Sequence, residues 1–256
     1  MLRLTFCGMG GLDVDAERRL WSAGVYCWDD FRRLRRPFFS AARTCLILND
    51  LDEAERRLEG KKPDVRWFYE KLPRSQRARL LVYFSDSAVY FDVETTGLEP
   101  DAEITTATFF DGAKFRTFAR GVNLAGAANY FRSIPVLATF NGTTFDLPLA
   151  RREWGEDWNG VHVDLRNVLR DWGIKGGLKR AATILGVERP EAPSGATGAD
   201  AVEFWRRWRE LGDVESLRDL CRYNRDDVRT LAEIARILCA ESMRENIFYR
   251  SPSGSH

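Results

Sequence analysis

The stretch Ala88-Val89-Tyr90-Phe91-Asp92-Val93-Glu94-Thr95-Thr96-Gly97 constrains this chain more than any other. Its apolar, β-branched and aromatic residues predict a buried strand. Yet it holds two carboxylates, Asp92 and Glu94, one residue apart. Side chains alternate faces along a strand, so both acids share a face. Burying two like charges together is costly unless a cation lies between them. For carboxylate oxygens the fitting cation is a hard divalent ion, Mg2+ or Mn2+. The competing reading is an edge strand with a solvated acidic face.

Around this strand the sequence describes an ordinary folded protein. Of 256 residues, 44% are hydrophobic and 30% charged, enough apolar material for one catalytic-sized domain and a smaller one. No apolar run reaches the ~18 residues that span a bilayer, and Met1 to Cys7 lacks the long apolar core of a signal peptide. Five widely spaced cysteines without a CxxC pair argue against a zinc site or a disulfide framework and suit a reducing cytoplasm. Two histidines, His162 and His256, leave little room for histidine-based chemistry. Basic residues outnumber acidic ones up to residue 79 and the reverse holds afterwards. That asymmetry suits a polyanion held beside metal ions, and equally suits ordinary solvated helix faces.

Residues 1–79 read as a small helical domain. Amphipathic segments begin at Glu17 and Trp28, the second stopping at Pro37, and a further helix runs from Leu51 to Leu58. The turn Cys7-Gly8-Met9-Gly10-Gly11 is not a dinucleotide fingerprint; it offers backbone N–H groups to a phosphate, or is simply a turn between helices. With Gly24-Val25 it resembles a degenerate helix-hairpin-helix that grips nucleic acid. Arg32 to Arg36 reads as a backbone contact or a solvated face, and Lys61-Lys62-Pro63-Asp64 as a linker. From Leu80 strands take over. Ile104–Phe110 and Lys114–Ala119 form a hairpin around Asp111-Gly112, Val136–Phe140 and Val161–Leu165 are further strands, and helices cover Asn123–Arg132, Leu178–Leu185, Asp200–Leu211 and Ser216–Ala240. The predicted fold class is α/β, a mixed sheet flanked by helices over 80–245, with a flexible tail over 246–256. Glu188 to Gly198 reads as a loop.

Two more acidic features follow the first. Asp146 closes Asn141-Gly142-Thr143-Thr144-Phe145-Asp146 at a helix start, where Asp is also a favoured cap. In the last helix, Tyr223 and Asp227 are i and i+4 and so project from one face. Asp226 points about 100° away and is expected to be solvated. In this order, the three features resemble the DEDD exonucleases of the ribonuclease H-like superfamily, in the tyrosine form. Val163-Asp164-Leu165, Gly177-Leu178-Lys179 and Tyr223-Asn224-Arg225-Asp226-Asp227-Val228 are most similar to the YprB-type ribonuclease H-like domain.

The resemblance implies a ribonuclease H-like fold and 3′-5′ exonuclease activity on nucleic acid, with two Mg2+ or Mn2+ ions held by Asp92, Glu94, Asp146 and Asp227. It implies that Asp92 bridges the ions, Glu94 and Asp227 complete the water-activating site, Asp146 serves the leaving group and Tyr223 orients the attacking water. Thr95, Thr96, Asn141, Phe145 and Lys179 become substrate-contact candidates, with a turn, a core or a solvated role as the alternative for each. Asp164 either supports the metal site or caps the next helix. His162 is expected to be structural, and Trp205 or Trp208 to offer a base-stacking surface. DNA is slightly favoured over RNA, with a single-stranded 3′ end as substrate. Two other readings remain: a catalytically silent nucleic-acid-binding module and a structure-specific endonuclease of related fold.

Overall fold

The computed structural model describes residues 2–60, 63–189 and 195–250, with side chains through Glu241. The expected tail beyond Arg250, the centre of the 188–198 loop and the linker lysines Lys61 and Lys62 lie outside the described residues. The chain forms two compact units, one of residues 1–83 and 237–256, the other of residues 84–236.

The first unit is helical: α1 (Val14–Ser22), α2 (Trp28–Arg32), α3 (Ala41–Glu59), α4 (Val65–Lys71) and α5 (Arg79–Tyr83). Side-chain caps start three of these helices, with Asp13, Ser40 and Asp64 accepting the orphan N–H of Ala16, Arg43 and Trp67. At its centre, buried Glu17 pairs with buried Arg79 at 2.8 Å and also accepts the N–H groups of Phe6 and Cys7 at 2.6 and 3.1 Å. Gly10 N–H donates to Asp50 at 2.8 Å. Three amides near the glycine turn are therefore already bonded to carboxylates and not offered to a phosphate. Gly8 has a φ of 90°, and a Cβ there would meet the Lys71 carbonyl oxygen at 2.2 Å. Its glycine is thus explained by a close backbone approach.

The second unit is a five-stranded mixed sheet flanked by helices. Its strands are β1 (Ala88–Thr95), β2 (Ile104–Phe110), β3 (Phe115–Ala119), β4 (Val136–Thr139) and β5 (Val161–Asp164), in the order β3-β2-β1-β4-β5. β1 is antiparallel to β2 and parallel to β4, so it lies at the centre. Alternation sends Val89, Phe91 and Val93 into an aromatic core with Phe109, Phe131 and Trp154, the Phe91 and Phe109 rings stacking at 4.6 Å. Tyr90, Asp92 and Glu94 occupy the opposite face. The β1–β2 register slips after Glu94: Glu94 pairs with Thr106, but Thr95 pairs with Ile104, a β-bulge at the end of the acidic run.

The helices are α6 (Ala127–Arg132), α7 (Asp146–Trp154), α8 (Leu165–Asp171), α9 (Leu178–Leu185), α10 (Gly198–Leu211) and α11 (Val214–Arg250). Three differences from the sequence reading have local causes. Leu80 belongs to the short helix α5 rather than a strand. A helix, α8, follows β5 at once because Asp164 caps it, accepting the N–H of Arg166. The last helix runs on to Arg250, past the boundary expected at 245, and contributes residues to both units.

Candidate metal centre

Three elements converge on the acidic face of β1. The carboxylates of Asp92, Glu94 and Asp227 each offer an oxygen, and these oxygens lie within 4.8 Å of one another. Asp92 and Glu94 share a face through strand alternation; Asp227 comes from α11. Burial pushes the carboxyls of Asp92 and Glu94 well above the usual carboxylate range, and repulsion from the neighbouring acids raises them further. Burial also raises Asp227, an effect partly offset by Arg189, whose guanidinium is bonded to it. Such a cluster is electrostatically unfinished. An all-oxygen donor set, packed this closely and short of positive charge, fits a hard divalent cation.

Asp146 sits apart from this trio in its bonding. It is buried, opens α7, and accepts the N–H of Val93 at 3.2 Å. Burial raises its pKa to about 7, with the Val93 hydrogen bond opposing that rise. Its charge nonetheless contributes to the raised values of Asp92 and Glu94. Asp146 is the first residue inside the helix rather than its cap, which is Phe145.

Of the two roles weighed for Asp164, the helix cap is the one its hydrogen bonds show. While capping α8, it accepts the N–H groups of Asn141 and Thr143 at 2.9 and 3.1 Å and the Thr143 hydroxyl at 2.7 Å. It thereby pins the turn that delivers Asp146. Asn141 has a φ of 70°, the left-handed region that Asn tolerates better than most residues. A Cβ on the next residue, Gly142, would strike the Thr139 hydroxyl at 2.1 Å. The Asn-Gly pair is what this turn demands.

Tyr223 is buried against Ala201, Trp205 and Leu220. Burial and the charges of Asp227 and Glu94 push its hydroxyl above the ordinary value, so it stays protonated. The Lys179 ammonium lies 5.2 Å from the centre of its ring. Trp205, 7% exposed, packs in this cluster, so it presents no free stacking surface. His162 is structural: its Nε2 lies 2.8 Å from the Thr139 hydroxyl, and burial lowers its pKa to about 4.

The two threonines after the acidic run close a turn. Thr95 Oγ1 donates to the Gly97 carbonyl at 2.6 Å, and Thr96 Oγ1 accepts the N–H of Glu103 at 3.0 Å. Asn141 Oδ1 accepts from Thr144 at 2.8 Å and from Arg166. Phe145 packs partly on the core and lines a cleft with Leu98, Pro100, Pro148 and Leu149. Asp226 is fully buried, contrary to the solvated position expected for it. The buried face of α11 also takes in the polar residues Asn224 and Thr230.

Two residues escaped the sequence reading. Asn224 is fully buried and donates its Nδ2 to Asp92 Oδ2 at 2.8 Å, while its Oδ1 has no partner among the described residues. A buried Asn inside a helix, where it is a poor helix former, was the available signal. Arg189, the partner of Asp227, gave none.

The family model of the RNase H superfamily matches residues 89–239, more than half of the chain and the whole of this site. The chain belongs to the RNase H superfamily. Among solved structures, this superfamily member is similar to the family B DNA polymerase from the hyperthermophilic archaeon Pyrobaculum calidifontis. The TM-score is 0.44 at 15% identity, covering 63% of this chain and 28% of the polymerase. It is also similar to the Aedes aegypti Nibbler EXO domain, with a TM-score of 0.43 at 13% identity, covering 67% of this chain and 90% of that one. No curated protein matches. Among the described residues of this RNase H superfamily chain, no helix is long and apolar enough to cross a membrane.

Proposed function

We propose that the chain is a metal-dependent exonuclease of the DEDD type in its tyrosine form, similar to the YprB-type domain, that removes nucleotides from a 3′ end. The observation that carries this reading is the Asp92, Glu94 and Asp227 cluster, three carboxylate oxygens within 4.8 Å. Two divalent ions held there, Mg2+ or Mn2+, would lower the pKa of an attacking water and neutralise charge on the attacking and leaving oxygens of a phosphodiester. By the family resemblance, Asp92 is assigned the bridging position, and Glu94 and Asp227 the water side. Asp146, held on the Val93 N–H, is assigned the leaving-group side. Tyr223 keeps its proton and orients the water by hydrogen bonding; a phenol in this setting is no base near pH 7. Lys179, exposed beside Tyr223, is assigned a substrate phosphate. Thr95, Thr96, Asn141 and Phe145 shape the substrate end of the site. DNA is favoured slightly over RNA.

The test uses 5′-labelled single-stranded DNA and RNA with Mg2+, Mn2+ or EDTA, beside the Asp92→Ala variant. The expected result is a metal-dependent ladder shortening from the 3′ end and absent in the variant. Cutting of a circular single strand would turn the reading to an endonuclease. Binding without cleavage under either metal would turn it to a silent module.

A further inference from the structure

Helix α11 carries a second pattern, about 150° round the helix from Tyr223 and Asp227 at 100° per residue. Arg218, Arg222, Arg225, Arg229 and Arg236 recur there at i, i+4, i+7, i+11 and i+18. At 1.5 Å rise per residue they form a ridge about 27 Å long and within about 60° of arc. Four of them are exposed and Arg229 is half-buried. The acids beside the ridge, Glu215, Asp219 and Glu233, pair with Arg218, Arg222 and Arg236 one turn on. Exposed pairs at this spacing are weak in water and leave the guanidinium groups available to a stronger anion.

The ridge continues onto the outer strand of the sheet. Arg225 donates its Nε to the Thr117 hydroxyl at 2.8 Å, and Arg229 lies 5.4 Å from the centre of the Phe115 ring. Phe115 stacks on Phe110 at 4.3 Å, so the basic ridge borders half-buried aromatic surface on β3 and β2. Every cation on the ridge is an arginine. Planar guanidinium forks match phosphate oxygens, and a straight row of them suits a polymer with an anion on every unit.

We propose that this arginine ridge is a second nucleic-acid contact, gripping backbone phosphates of the strand away from the hydrolytic site. The choice of nucleic acid over an acidic protein rests on the nuclease reading above, together with the regular spacing.

The test is fluorescence anisotropy of labelled 20-nucleotide single-stranded DNA and RNA and a 20-base-pair duplex, with the full chain in EDTA. Arg218→Gln/Arg222→Gln/Arg225→Gln should raise Kd at least tenfold for one of these ligands. It should also lower the slope of log Kd against log salt by about one unit per lost phosphate contact. Arg218→Gln/Arg222→Gln, which leaves the Thr117 contact in place, should show the same direction with an unchanged Tm. Unchanged Kd and salt slope in both variants would overturn the ridge, as would displacement of the labelled strand by polyglutamate at equal charge concentration. Ridge-dependent binding without cleavage by the wild type would sink the nuclease reading and spare the ridge. Cleavage with ridge-independent binding would do the opposite.

Discussion

The amide of Asn224 donates to Asp92 Oδ2 at 2.8 Å with one end, and nothing among the described residues bonds the other, although the residue is fully buried. An unsatisfied buried acceptor costs about 1–3 kcal/mol, so this side chain gains little net stability from its bond to Asp92. It fixes one oxygen of a carboxylate in the cluster. Asn224→Leu, similar in volume, is expected to weaken Mn2+ binding by about 10–100-fold, the usual effect of losing a partner of a metal-binding group. The Tm in EDTA should stay the same or rise. Titration calorimetry and thermal melts read the two effects separately; a lower Tm with unchanged Mn2+ affinity would make Asn224 merely structural.

Asp146 makes metal-free stability pH-dependent. Its folded pKa, about 7, lies above the ordinary value of 3.8. A carboxyl raised in this way favours the fold below its unfolded pKa, and that contribution is lost as pH rises through about 7. In EDTA the Tm should therefore fall between about pH 4 and pH 7 through this group. Mn2+ binding needs ionised carboxylates, so the stabilisation by Mn2+ should be largest near pH 8 and fade towards pH 6. Melts with and without Mn2+ across that range measure both. A metal-induced shift that grows as pH falls would contradict the assignment.

Arg189 is bonded to Asp227, one of the three clustered acids, and so competes with an incoming cation. At pH 8.5, Arg189→Gln is expected to bind Mn2+ several-fold more tightly while losing about 1–2 kcal/mol of metal-free stability. Weaker Mn2+ binding by the variant at that pH would show that the guanidinium assists the metal.

How much of this site was readable in advance depends on the range over which each signal acts. Asp92 and Glu94 announced themselves because strand alternation is local, and Tyr223 and Asp227 because i and i+4 meet on any helix. Asn224 lies 132 residues from Asp92, and no local rule links them. Arg189 sits at the start of the 188–198 loop, with no periodicity to read. Asp226 was misplaced because its position about 100° from Asp227 was taken to face solvent, whereas the buried face of α11 also holds Asn224, Asp226 and Thr230. The strands of the sheet were legible from alternation and turn residues. Short helices such as α4, α5 and α8, set by capping and by packing over one or two turns, were not.

In the first unit, Glu17 carries a heavier share of stability than any surface pair. It is fully buried, bonded to Arg79 Nη1 and Nη2 and to two backbone amides. Glu17→Ala is expected to cost about 3–5 kcal/mol, because it strands a buried guanidinium. Urea unfolding of the full chain measures this; a loss below about 1 kcal/mol would mean that water reaches Arg79 and solvates it.

The bulge after Glu94 separates what the sheet must preserve from what the surface is free to change. Upstream of it, the pairing of Asp92 with Thr108 and Glu94 with Thr106 keeps both acids on one face. Beyond it, the count of residues through Gly97 to Glu103 no longer sets that parity. A residue gained or lost in the turn is expected to be absorbed at the bulge, because alternation along β1 alone sets the shared face of the two acids. The turn that borders the acidic pair is thereby free to lengthen or shrink, while the pair beneath it stays in step.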